Sequence, residues 1–95
     1  MTDYEELIET KENVLVEEKK VDFKDLILFN DDVNTFEYVI ESLVEICKHS
    51  PIQAEQCTLL IHHKGKCVVK RGEYELLEPM AVAFLDRGIS AKIED

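Results

Sequence analysis

The chain has 95 residues, 45% of them hydrophobic and 34% charged, with 21 acidic against 11 basic side chains and a net charge of −10. That length holds one core rather than two, and the mixture is that of an ordinary folded domain. The negative surplus repels nucleic-acid phosphate and anionic membranes, and no apolar run approaches the roughly 20 residues of a membrane span.

The opening Met1-Thr2-Asp3-Tyr4-Glu5-Glu6 lacks the basic and apolar stretches of a secretory signal, so a cytoplasmic location is expected. Three cysteines, Cys47, Cys57 and Cys67, are an odd number in such a chain and are expected as reduced, mostly buried thiols. Residues 1–23 carry eight acids and three bases, a net of −5, and few apolar groups. So little apolar surface does not offset the entropy of ordering, and a mobile acidic extension is expected ahead of a domain over 24–95. A tail gripped by a partner is the alternative.

Leu26-Ile27-Leu28-Phe29 is a continuous apolar run ended by Asn30-Asp31-Asp32, which reads as a buried strand entering a polar loop. Phe36, Val39, Ile40, Leu43, Val44 and Cys47 recur at helical spacing, with Asn34 or Thr35 available as the cap. Ser50-Pro51-Ile52-Gln53 starts a second helix, with Ser at the cap, Pro at the first position and Gln completing a capping box. Its inward residues are expected to be Ala54, Cys57, Leu60 and Ile61, and it stops near His63, before Gly65. Lys66–Lys70 is strand-like. Met80, Ala81, Phe84 and Leu85 give a third helical face, and Pro79 fits its start, leaving Glu73–Leu77 as a turn or a separate helical turn. Ile89, Ala91 and Ile93 alternate with polar residues as a final strand. The element order is βααβαβ.

Asn30-Asp31-Asp32 is an acceptor-rich patch suited to a cation or an ammonium group; an ordinary polar turn is the other reading. His62 and His63 end the second helix, where one of the two can lie half-buried beside that loop. Cys57, His62, His63 and Cys67 are close in sequence, but their spacing is not that of a zinc site, and no metal or cofactor is expected. The three glycines are scattered, so no loop cradles phosphate. A Cys–His nucleophile is disfavoured by the burial expected of Cys57. The chain does not read as an enzyme.

Leu28-Phe29-Asn30-Asp31-Asp32-Val33-Asn34-Thr35-Phe36-Glu37-Tyr38-Val39-Ile40 resembles the opening of the ClpS family, adaptors of the Clp protease. Gln53-Ala54-Glu55-Gln56 followed by Ile61-His62-His63-Lys64-Gly65-Lys66-Cys67 resembles its second motif, and Ile89–Glu94 its last strand. The resemblance covers about residues 26–94. It implies an α+β fold, with a three-stranded antiparallel sheet packed against three helices. It also implies an adaptor that binds proteins bearing a destabilising N-terminal Leu, Phe, Tyr or Trp. Such an adaptor hands them to the AAA+ unfoldase ClpA, or an equivalent, of the Clp protease.

The implied amine-binding residues are Asn30, Asp31, Asp32, Asn34 and His62. The implied side-chain pocket is Phe36, Val39, Leu43, Thr58, Ile61 and Ile89. Where the family usually reads Thr-Pro-Met after the triplet, this chain reads Asn34-Thr35-Phe36, and Thr58 occupies a pocket position often held by Met. A monomer is expected, with degron peptides and the unfoldase as its partners. A general protein-interaction module of the same fold is the competing reading, and a small metal-binding protein is a second.

Overall fold

Leu26, Ile27 and Leu28 are all buried, and a strand buried on both faces belongs in the middle of a sheet. The computed structural model, which describes residues 21–95, places it there. Strand β1 (Phe23–Phe29) lies between β2 (Lys66–Glu73) and β3 (Ala91–Glu94), and both pairings are antiparallel. Leu26 and Leu28 join the core, while Ile27, pointing to the opposite face, does not. The expected mobile extension falls in the N-terminal segment and, apart from its last three residues, lies outside the described residues.

Three helices supply most of the rest of the core, with Val69 of β2 and Ile89 completing it. Helix α1 (Phe36–Cys47) starts where Thr35, not Asn34, accepts the Tyr38 N–H on its side chain at 3.1 Å. It buries Val39, Leu43 and Cys47 and ends at Lys48 in the left-handed conformation. Helix α2 (Pro51–Lys64) starts at Ser50, whose hydroxyl accepts the Gln53 N–H at 3.1 Å, and ends at Gly65 with φ 90°. That φ suits glycine, which carries no Cβ. Helix α3 (Tyr74–Asp86) buries Leu77, Ala81 and Phe84. The order is βααβαβ, as read from the sequence.

The structure corrects three helical details. On α2, Thr58 is buried at 4% exposure and Leu60 is 46% exposed, so the inward face is Ala54, Thr58 and Ile61, with Cys57 half-buried. Thr58 tolerates burial because its Oγ1 donates to the Ala54 carbonyl at 2.7 Å. On α3, Leu85 is 54% exposed. Pro79 does not start a helix either: it sits inside α3, which begins directly after β2.

Proline at 79 removes one N–H from the ladder and crowds the carbonyl four residues earlier, that of Glu75. Glu75 is exposed, so water can hydrate that carbonyl. Leu77, fully buried, holds the first turn in the core and contributes about 2–3 kcal/mol. Pro79→Ala should therefore raise stability by about 1–2 kcal/mol, the restored bond being offset by greater freedom of the unfolded chain. A urea midpoint that is unchanged or lower would refute this account of α3.

Candidate functional site

Antiparallel register carries the polar loop to the end of α2. Phe29 pairs with Lys66, and one step further the Asn30 N–H donates to the Gly65 carbonyl at 2.9 Å. On the other side the Phe29 N–H donates to the Ser90 carbonyl at 3.0 Å. The loop leaving β1 is thus held between the start of β2 and the approach to β3. His62 lies one helical turn before Gly65, and so it comes beside Asn30 and Asp31.

Asp31 builds the loop. One carboxylate oxygen accepts the N–H of Val33 at 3.0 Å and of Asn34 at 2.9 Å; the other accepts Asn34 Nδ2 at 2.8 Å. These bonds, the Asn34 backbone N–H foremost, hold its carboxyl below the usual carboxylate range. Asn34 Nδ2 also donates to the Gly88 carbonyl at 2.9 Å, tying the loop to the turn after α3. That turn is fixed in its own right. Arg87 donates to Ser42 Oγ and Glu45 on α1, and its carbonyl accepts the Tyr38 hydroxyl at 2.9 Å.

Beneath the loop is a cavity of about 390 Å³ between α1 and α2. Asn30, Asp31, Asp32, Asn34 and His62 form its polar rim; Phe36, Val39, Thr58 and Ile61 form its wall, with Thr35 between. The Thr58 hydroxyl is satisfied by its own helix, which leaves that wall apolar in character. A much smaller cavity of about 20 Å³ shares Asn30, Asp31, Asn34, Val39 and Ile61 with the first and adds Phe29 and Ile89.

Of the residues named from sequence, ten meet at these two cavities and one does not. Leu43 is fully buried and lines neither; one helical turn beyond Val39, it supports the wall from within the core. Thr35, the cap of α1, also lines the cavity. His63 lines neither cavity, and its ring meets that of His62 edge-on with centroids 5.3 Å apart.

Burial pushes the Cys47 and Cys67 thiols up to about 11, far from the thiolate a nucleophile needs. Among the described residues no three His, Cys, Asp or Glu side chains come together as a metal site requires. No helix among them is long and apolar enough to cross a membrane. The described residues form a small α+β domain with acceptors at the mouth of an apolar cleft.

Comparison with known proteins gives this domain a family. The family model "ATP-dependent Clp protease adaptor protein ClpS" matches residues 19–87. The ClpS adapter protein of Acetivibrio thermocellus is 32% identical over 84 residues, covering 76% of this chain and 85% of that protein. That of Shewanella halifaxensis is 38% identical over 66 residues, covering 70% and 65%. Among solved structures, Agrobacterium tumefaciens ClpS2 bound to L-phenylalaninamide superposes with a TM-score of 0.73 at 23% identity, covering 76% of this chain and 94% of that one. The chain belongs to the ClpS family, the adaptors of the ATP-dependent Clp protease, and not to the proteases themselves.

Proposed function

We propose that this adaptor captures proteins by a destabilising N-terminal residue, Leu, Phe, Tyr or Trp, and delivers them to an AAA+ Clp unfoldase, ClpA or an equivalent. One observation carries the reading: a charged acceptor, Asp31, stands at the mouth of an apolar cleft beside Asn30 and His62. A free α-amine, with a reference pKa of about 7.7–8.0, is largely an ammonium at neutral pH and offers three donors. Asp31 has about four lone-pair sites and spends three on the loop, leaving one and the full negative charge for a ligand. Asn30 and a ring nitrogen of His62 supply acceptors of two further kinds. The wall of Phe36, Val39 and Ile61 takes the side chain, worth about 2–3 kcal/mol for Leu or Phe. The likeness to a structure holding L-phenylalaninamide, an aromatic residue with a free amine, supports the same reading.

The reading extends to the rest of the molecule. The chain acts as a cytoplasmic monomer. Residues 24–95 form the binding domain, and the acidic residues 1–23 act in delivery rather than in peptide binding.

The deciding experiment titrates a Phe-initiated peptide against the same peptide acetylated at its N-terminus. Acetylation removes the charge and two donors, and binding is expected to fall at least a hundredfold, about 3 kcal/mol. Equal affinity would leave a general interaction module of the same fold. Within the site, His62→Ala should weaken the Phe peptide by about 3- to 10-fold, the worth of one hydrogen bond. His63→Ala should not change it, since that side chain is off the cavity. If His63→Ala is the more damaging, the roles of the two histidines are reversed.

A further inference from the structure

Acids outnumber bases nearly two to one along this chain, yet one concavity is lined by none of them. A cavity of about 370 Å³ lies where the turn between α1 and α2 meets β2. Lys48, His49, Lys70 and Arg71 line it together with Gln53. It shares no residue with the cavity beneath the Asn-Asp-Asp loop.

The backbone concentrates these cations. Lys48 takes the left-handed conformation, φ 60°, and its N–H returns to the Leu43 carbonyl, so the chain reverses tightly into α2. His49 is only 6% exposed, and its Nε2 lies 2.7 Å from the Val69 carbonyl. Val69 is the residue that a β-bulge leaves without a partner on β1, and a side chain takes up its carbonyl instead. A carbonyl only accepts, so Nε2 carries the hydrogen; Nδ1 is buried without a partner among the described residues. Arg71 meets Asp25 at 3.8 Å, and its side chain is 71% exposed.

We propose that this cavity is a second binding site, one that takes an acidic peptide segment of a partner protein, its carboxylates lying against Lys48, Lys70 and Arg71. Gathered like charges repel one another, and ligand carboxylates remove that cost. The cations are spread over a turn and a strand, which suits several carboxylates better than one compact anion. A long polyanion such as nucleic acid meets the repulsion of the net −10 charge, which a short acidic segment meets least. This site stands whether or not the first one binds N-terminal amines.

The test is fluorescence anisotropy of a labelled peptide of alternating Glu and Ser, acetylated so that it carries no free α-amine. The full-length chain should bind it at low salt and release it as salt rises. The double variant Lys70→Glu with Arg71→Glu should lose at least tenfold in affinity, with binding of a Phe-initiated peptide unchanged and an unchanged melting profile. In the unmodified protein the peptide should shift the backbone amides of Lys48, Gln53, Lys70 and Arg71. Equal binding by the double variant, or shifts confined to residues 30–36, would overturn the proposal. So would binding of single-stranded DNA or inorganic phosphate, but not of the peptide, that the double variant abolishes. A tenfold gain in peptide affinity on changing Glu17 and Glu18 to Gln would assign the cavity to the chain's own acidic segment and overturn the partner assignment.

Discussion

Asp31→Ala is expected to weaken binding of a Phe-initiated peptide at least tenfold, about 1.4 kcal/mol or more, and to destabilise the loop as well. The two effects separate because the carboxylate does two jobs. It accepts three hydrogen bonds within the loop, and it is the negative charge at the cleft mouth. Asp31→Asn keeps an oxygen for the Val33 and Asn34 N–H groups but removes the charge and turns an amide NH2, a donor, toward the Asn34 Nδ2 donor. It should therefore keep most of the stability while losing the same tenfold in binding; Asp31→Ala should also lose about 1–2 kcal/mol of stability. Full affinity in Asp31→Asn would mean that the carboxylate is only a turn-former.

The pH dependence has a definite sign. Because the folded-state value is depressed, the stability this carboxylate contributes is complete above its unfolded value of about 3.9. It is lost as pH falls through the lower, folded value. The loop should therefore keep its order and charge down to about pH 4.

Phe84→Ala should cost about 3–5 kcal/mol, the usual loss for a fully buried aromatic, through lost burial and the cavity left behind. About 75 described residues correspond to a total stability of about 4–11 kcal/mol, so this one change removes about a quarter of it or more. The consequence reaches the site. The Phe84 carbonyl accepts the Ile89 N–H at 2.9 Å, and between them lie Arg87 and Gly88, which hold Tyr38 and Asn34. Leu85→Ala, one position away, should cost less than about 1 kcal/mol because Leu85 is 54% exposed. Urea unfolding of the two variants checks both values, and similar losses would contradict the inward face described for α3.

Features that depend on near neighbours are legible along the chain. The apolar run Leu26–Phe29 marks the central strand because a strand buried on both faces leaves no alternation to read. Asn34 or Thr35 before Phe36, Ser50 before Pro51 and Gly65 after Lys64 bound two helices, because a cap needs only a side chain or a φ within four residues; the structure chose Thr35. The residues on the cavity wall, Thr35 excepted, were legible from the family motifs; from spacing alone the triplet stayed either a turn or a cation site. The other features depend on packing between distant segments. Pro79 lies within α3 because Leu77 is buried in the core, which a local propensity does not register. Leu60 and Leu85 face water, and Thr58 and His49 are buried, because a helix or turn shows its partner only one side. Leu43 leaves the pocket for the core for the same reason. The loop sits at the end of α2 and against the turn after α3 because Asn30 bonds Gly65 and Asn34 bonds Gly88, contacts across 35 and 54 residues that only the closed sheet brings together.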